Sequence, residues 1–207
     1  MVACQYWPKR VLELTIKIKK LSGILGAELG GVDLSKPIND KLFSEIRNAF
    51  YEHQVICFRD QELEPEQQLC FAKRWGSIVV NRFFQAVDNY PMIAEVRKEA
   101  AQTQNIGQFW HTDHSYDVLP AFSSILYAKV VPEFGGDTCF ASMSAAYDAL
   151  SSGIKKMLNN LKARHSSRHS FGYSTADGET NQTGRVKNPE LAVQDAVHPV
   201  VITLPGS

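Results

Sequence analysis

Two residues that can bind a metal ion lie two positions apart in an aromatic, apolar stretch of the chain. His111 and Asp113 belong to residues 108–117, whose composition predicts a β-strand. Residues i and i+2 of a strand point to the same side, about 7 Å apart. An imidazole and a carboxylate on one side are two thirds of the 2-His-1-carboxylate arrangement that holds non-haem Fe(II) and leaves coordination positions open. The spacing therefore predicts a partial metal site that needs a third ligand.

The spacing alone leaves other interpretations open. A His-x-Asp pair also suits a surface hydrogen bond, and Zn²⁺ accepts the same ligand types in hydrolytic sites. His198, on a predicted strand near the end of the sequence, is the downstream histidine that could replace a missing ligand. His114 points away from the pair on the predicted strand. His165 and His169 are interpreted as solvated or structural residues.

Composition and charge narrow the class of protein. With 207 residues, 44% hydrophobic and 21% charged, the chain is typical of one globular domain. Lys+Arg and Asp+Glu are equal at 22 each, which argues against nucleic acid as a partner. The N-terminus lacks the apolar core of a signal peptide, and no apolar run has the length of a membrane span. The expectation is a cytoplasmic protein without a membrane partner.

The cysteines do not form a recognisable metal or disulfide pattern. Cys4, Cys57, Cys70 and Cys139 are scattered without C-x-x-C spacing, which argues against a zinc knuckle or a disulfide framework. Cys57 and Cys70 lie among apolar residues and are predicted to be small buried side chains.

Hydrophobic periodicity predicts the elements that must position the pair. Alternation over residues 12–19 indicates a half-buried strand, and Asn39 is the predicted N-cap of a helix. A second helix is predicted to open at Pro65 and to close at Gly76. Two short helices are expected at residues 144–150 and 153–161. Further strands are predicted at residues 54–58, 92–96, 123–131 and 197–203.

Many short strands separated by Gly and Pro turns favour a mainly β core with flanking helices. The predicted class is α+β, with a double-stranded β-helix, or jelly roll, as its architecture. The last strand has nothing after it with which to pair, so its ladder partner is expected to be missing. The jelly roll is accordingly predicted to be incomplete.

An ordered series of short segments covers essentially the whole chain. Its segments are Gly26-Ala27-Glu28, Gly31-Val32-Asp33-Leu34-Ser35, His53-Gln54-Val55, Phe58-Arg59-Asp60-Gln61, Phe71-Ala72-Lys73-Arg74-Trp75-Gly76, Trp110-His111-Thr112-Asp113, Gly135-Gly136-Asp137-Thr138 and His198-Pro199-Val200-Val201. Such a series is far more specific than an isolated His-x-Asp pair. It resembles the TauD/TfdA family of Fe(II)/2-oxoglutarate-dependent dioxygenases.

The resemblance implies a role for three residues. His111 and Asp113 match the family's iron ligands, and Thr138 matches the threonine whose hydroxyl binds a carboxylate of 2-oxoglutarate. Members of the family use Fe(II) and O₂, convert 2-oxoglutarate to succinate and CO₂, and hydroxylate a small organic substrate. They often self-associate, so a homo-oligomer is compatible with the resemblance.

The sequence also departs from the family's pattern. The distal histidine ligand and the arginine that pairs with 2-oxoglutarate lie farther beyond Thr138 in the family than this chain extends, and neither has a match. Residues 1–207 are therefore expected to be a single dioxygenase domain that is truncated at its C-terminal side. Asn81 and Phe84 replace a histidine and a tyrosine of taurine-cleaving members, which weakens a taurine assignment. A non-catalytic binding module on the same scaffold, or a hydrolytic Zn²⁺ site, remains the alternative.

Overall fold

The computed structural model describes residues 16–101, 105, 107, 109–172 and 186–204. The chain divides into two compact units. The first contains residues 1–74, 126–157 and 203–207, and the second contains residues 75–125 and 158–202.

Strands and helices in the described residues are short. The strands are β1 (Lys17–Lys20), β2 (Ala27–Gly30), β3 (Ile56–Cys57), β4 (Ala86–Val87), β5 (Tyr90–Ala94), β6 (Lys162–Ser166) and β7 (Asp195–Pro199). The helices are α1 (Asp40–His53), α2 (Pro65–Lys73), α3 (Met143–Asp148), α4 (Ser152–Leu158) and α5 (Arg168–Phe171), with a 3₁₀ turn at Pro189–Leu191.

The first unit is built around a three-stranded sheet and the long helix α1. Strand β2 pairs antiparallel with β1 and parallel with β3. The side chain of Asn39 accepts a hydrogen bond from the backbone N–H of Leu42 at 2.8 Å, which confirms the predicted N-cap. The helix buries one apolar face, as its periodicity predicts, and that face consists of Leu42, Phe43, Ile46 and Ala49.

Helix α2 also begins as its sequence predicts. Pro65 occupies the first turn, and Glu64 and Gln67 exchange the two hydrogen bonds of a capping box. Residues 126–157 belong to the same unit, and Tyr127 connects them to the segment before α2. Its hydroxyl donates to the carbonyl oxygen of Gln61 and accepts from the N–H of Leu63, at 3.1 and 3.0 Å.

The second unit contains two hairpin-like strand pairs and an aromatic core. Strand β4 pairs with β5, and β6 pairs with β7 in antiparallel register, with Ala163 opposite His198. The expectation that the last strand lacks its partner is therefore wrong, because β6 supplies the ladder from an earlier part of the chain. Residues 162–166 carry four charged or polar side chains, so their hydrophobic pattern alone does not indicate a strand.

The mainly β jelly roll is not visible as such in the described residues. Their strands form separate sheets of three, two and two strands, and none of these sheets closes on itself. Residues 109–112 and 123–131, which were predicted as parts of strands, are not paired in any ladder. An apolar run predicts a strand only if a partner supplies the hydrogen bonds, and here Leu126 and Val130 are 72% and 90% exposed. The class shown is a mixture of helices and short sheets.

Cys57 and Cys139 are free thiols, half-buried and exposed respectively. Cys70 is disulfide-bonded, contrary to the prediction of a simple buried side chain. No helix in the described part of the chain is long and apolar enough to cross a membrane.

Candidate metal centre

His111 and Asp113 are neighbours in the second unit, but they do not lie on a strand. His111 is in an extended connection, and Asp113 begins a turn over residues 113–116. The Nε2 atom of His111 lies 3.3 Å from Oδ1 of Asp113, and the two side chains are 54% and 53% exposed. The two functional groups therefore converge as predicted, although the predicted secondary structure was wrong.

A backbone contact selects the tautomer of His111. Its Nδ1 lies 2.7 Å from the carbonyl oxygen of Phe109, and a carbonyl can only accept, so Nδ1 carries the proton. In a neutral imidazole Nε2 then holds a lone pair, which is the form that binds metals. That lone pair faces a carboxylate oxygen, and two acceptors are stable at this distance only with a cation between them. The cation is either a second proton on the imidazole or a metal ion.

The separation of the two donor atoms suits a metal ion. Ligand atoms about 2.1 Å from a metal and at right angles to one another lie about 3 Å apart. The 3.3 Å between Nε2 of His111 and Oδ1 of Asp113 is close to that value. The pair thus fits two adjacent coordination positions of one divalent cation.

The second oxygen of Asp113 has a partner of its own. The hydroxyl of Ser124 donates to Oδ2 at 2.6 Å, which leaves Oδ1 directed at His111. Partners of this kind orient ligands and tune their affinity for the metal. Sequence reasoning missed Ser124 because it placed this residue in a strand, and a serine 11 positions from Asp113 carries no local signal.

The turn that carries Asp113 is anchored by the residues that follow it. Tyr116 is only 8% exposed, and its ring packs edge-on against Phe83, which is fully buried. Burial, together with the carboxylate of Asp117, raises the pKa of the Tyr116 phenol. The carboxylate of Asp117 accepts from Arg82 and contacts Nδ1 of His114, at 2.5 and 3.2 Å. Tyr116 is therefore a core residue.

A third ligand does not accompany the pair in the described residues. No group of three or more His, Cys, Asp or Glu side chains there is close enough to bind one metal ion. His198 is engaged elsewhere, because its Nε2 lies 3.0 Å from the carbonyl oxygens of both Ser115 and Asp117. His165 lies beside it on β6, and His169 is exposed on α5. The site in the described chain is a two-donor site.

Thr138 belongs to the first unit and is described there by itself. It is exposed and follows Gly135 and Gly136, whose φ angles are +77° and +75°. These left-handed conformations suit glycine, but the backbone bends at residues 133 and 134 and forms no turn at residues 135–138, so the tight turn predicted there is not confirmed. Its contact with 2-oxoglutarate remains a prediction from the resemblance.

The two positions considered for substrate recognition have structural contacts. Oδ1 of Asn81 accepts from the backbone N–H groups of Phe83 and Phe84, at 2.8 and 3.1 Å. The ring of Phe84 packs edge-on against Phe171, with centroids 6.1 Å apart. Both side chains therefore help to build the aromatic core of the second unit.

Gly107 lies directly against the imidazole of His111, and we expect Gly107→Ala to weaken metal binding. Its φ is +73°, and an added Cβ would lie 3.2 Å from Cε1 of His111. The left-handed backbone alone costs an alanine about 1 kcal/mol, and the new methyl group must displace the ring. We expect the dissociation constant for Mn(II) to rise severalfold, as measured from the electron paramagnetic resonance signal of the free ion.

Gly153→Ala is the matched control for that substitution. A Cβ at Gly153 meets nothing within 4 Å, and the residue lies in α4. Alanine is favoured over glycine inside a helix by up to about 1 kcal/mol. The control should therefore retain Mn(II) affinity, and an equal loss in both variants would contradict a specific contact between Gly107 and His111.

Comparison with protein families finds one match over nearly the whole chain. Residues 17–206 match the model described as "Taurine catabolism dioxygenase TauD, TfdA family".

Individual proteins agree with this match. An alkylsulfatase of Acinetobacter baylyi is 33% identical over 92% of this chain and 60% of its own length. An (S)-phenoxypropionate/alpha-ketoglutarate-dioxygenase of Sphingobium herbicidovorans is 34% identical over 83% of this chain and 62% of its own length. The crystal structure of a taurine dioxygenase from Burkholderia xenovorans superposes with a TM-score of 0.72 at 28% identity, over 93% of this chain and 60% of that one. The chain thus spans about three fifths of the length of these relatives.

Proposed function

Since the chain belongs to the TauD/TfdA family of dioxygenases, we propose that it is part of an Fe(II)- and 2-oxoglutarate-dependent oxygenase of a small organic substrate. O₂ is the second co-substrate, and succinate and CO₂ are the co-products. The observation that carries the proposal is the pair of His111 and Asp113, whose donor atoms face each other at 3.3 Å. The double-stranded β-helix, or jelly roll, is proposed as the architecture of such an enzyme.

His111 and Asp113 would hold the metal through Nε2 and Oδ1. The contact from His111 to the carbonyl of Phe109 keeps the imidazole in the ligating tautomer. The hydroxyl of Ser124 keeps the carboxylate of Asp113 oriented. When bound, Fe(II) supplies the redox chemistry that couples O₂ to oxidation of the substrate.

Thr138 is proposed to donate its hydroxyl to a carboxylate oxygen of 2-oxoglutarate. The support is the family segment in which it lies, together with its exposure after two glycines whose φ angles are positive. A hydroxyl is a suitable donor for a carboxylate, and it carries no charge that would compete with the metal for the cofactor.

The substrate is proposed to be a small organic anion. The names of the two similar proteins refer to an alkyl sulfate and to an aryloxy acid, and both compounds join an apolar body to an anionic group. Phe109 and Trp110, adjacent to His111, are 77% and 74% exposed and could contact such an apolar body. Taurine, which lacks one, is a poorer candidate.

A non-catalytic binding module is the second candidate, and one observation favours it. The described residues supply two metal donors where an iron oxygenase uses three. A protein with this scaffold could bind an organic anion without turning it over. The hydrolytic Zn²⁺ alternative has less support, because the family model that matches the chain describes dioxygenases.

The test is CO₂ release from carboxyl-labelled 2-oxoglutarate by the purified chain, with and without Fe(II) and O₂. We expect slow release that requires both and that disappears in His111→Ala. Alkyl sulfates, aryloxy acids and taurine are added in turn to find which compound increases the rate. Metal-dependent hydrolysis of a sulfate ester without O₂ would support the zinc alternative, and the absence of any metal-dependent reaction would support the binding module.

A further inference from the structure

His198 connects the end of the sequence to the turn that carries Asp113. It lies on β7, half-buried, and its backbone pairs with Ala163 of β6. Its Nε2 is 3.0 Å from the carbonyl oxygen of Ser115 and 3.0 Å from that of Asp117. These residues precede His198 by 83 and 81 positions, so the contact is made only by the folded chain.

The chemistry of this contact assigns the proton on His198. Carbonyl oxygens only accept, so Nε2–H is the donor and is shared between the two carbonyls. A ring nitrogen that carries a proton has no lone pair for a metal ion. His198 therefore cannot use Nε2 as the third ligand while it holds the turn.

Several contacts hold the turn at residues 113–117, and the contact of His198 differs from the others because it joins the backbone of the turn to a distant strand. Tyr116 and Asp117 are held through their side chains, by the aromatic core and by Arg82. A hydrogen bond from the N–H of Asp117 to the carbonyl of His114 closes the turn on itself. His198 instead ties the backbone of the turn to the sheet formed by β6 and β7. A backbone tie limits the direction in which the chain leaves Asp113.

We propose that His198 is a positioning residue of the metal centre. By holding the carbonyls of Ser115 and Asp117, it keeps Asp113 in register with His111, so that Nε2 and Oδ1 face each other. The part of this inference that concerns the metal rests on the proposed function. The part that concerns the turn can be tested in the metal-free protein.

The experiment compares three variants of the full chain. His198→Leu removes the donor but keeps an apolar side chain, and His198→Gln places an amide N–H near the position of Nε2. His165→Leu is the matched control, because its ring lies 5.6 Å from that of His198 on the neighbouring strand. Mn(II) alone is the probe, and its free concentration is followed by electron paramagnetic resonance.

The expected result is a loss of affinity that the conservative substitution restores. Groups that hydrogen-bond a metal ligand contribute about 10- to 100-fold to affinity. His198 bonds the backbone beside Asp113 and not the ligand itself, so we expect the lower end of that range, a Mn(II) dissociation constant about tenfold higher in His198→Leu. His198→Gln and His165→Leu should stay close to the unaltered chain. A loss in His198→Gln equal to that in His198→Leu, or no loss in either, would overturn the inference.

A second measurement separates this inference from the proposed function. Amide hydrogen exchange of residues 113–117 in the metal-free protein should be faster in His198→Leu and unchanged in His198→Gln. If the unaltered chain binds no Mn(II), the proposed function fails, and the exchange rates alone decide whether His198 positions the turn. If His198→Leu does not fold, His198→Asn takes its place, since its shorter amide does not reach the position of Nε2. Equal exchange in all variants would overturn the proposal.

Discussion

Asp113→Asn is expected to abolish measurable metal binding while leaving the fold intact. The amide keeps an oxygen that can accept from Ser124, and its N–H group can donate to Nε2 of His111, so the pair becomes a neutral hydrogen bond that needs no cation. Loss of a direct ligand should exceed the 10- to 100-fold effect of an outer partner. We therefore expect the Mn(II) dissociation constant to rise by more than about 100-fold. The free energy of unfolding should change by less than about 1 kcal/mol, because the ion pair is half-exposed.

Asp88→Asn is the control for this prediction. Asp88 is an exposed carboxylate of the same unit, in the turn between β4 and β5, where asparagine is also favoured. The Asp88→Asn substitution should change neither the free energy of Mn(II) binding nor the free energy of unfolding by more than about 0.5 kcal/mol. Unchanged affinity in Asp113→Asn would mean that His111 and Asp113 form a hydrogen-bonded surface pair and not a metal site.

Phe83→Ala should be the most destabilising single truncation in the second unit. Phe83 has no exposed surface, stacks on Phe171 with ring centroids 4.1 Å apart, and contacts Tyr116 edge-on. Truncation of a buried phenylalanine to alanine costs about 3–5 kcal/mol, a large share of the 5–15 kcal/mol that typically stabilises a domain. Denaturant unfolding should show this loss. Amide exchange of β6 and β7 should show that it falls within the second unit.

Phe109→Ala is the control that tests whether the loss of stability in Phe83→Ala results from the burial of the truncated ring. Phe109 is 77% exposed, so its truncation should cost less than about 0.5 kcal/mol. Its backbone carbonyl, which accepts from His111, remains in place. A cost below about 1 kcal/mol for Phe83→Ala would show that the aromatic cluster does not stabilise the unit.

The helices could be predicted because their signals are local. Asn39 and Pro65 act through contacts with residues within one turn, and the apolar period of α1 is visible without knowing its neighbours. The approach of His111 and Asp113 was also predictable. Two side chains separated by one residue approach each other in a strand or in an open turn, so the wrong secondary structure did not prevent the right prediction of their proximity.

The strands could not be predicted equally well, because a strand depends on its partner. Residues 123–131 have the composition of a strand but find no ladder in the described chain, whereas residues 162–166 lack that composition and pair with β7. Pairing depends on which backbone lies alongside, and tertiary structure decides that.

The sequence by itself determined the family, the starts of α1 and α2, and the proximity of His111 and Asp113, which makes them the proposed metal-binding pair. These features follow from residue types and short spacings, which do not depend on contacts with distant parts of the chain. Only the tertiary structure decided that Asp113 begins a turn, that Ser124 donates to its carboxylate, and that His198 contacts the backbone of the turn. The contacts of Ser124 and His198 join residues 11 or more positions apart. Closing such distances costs chain entropy, which burial of side chains such as Phe83 must offset.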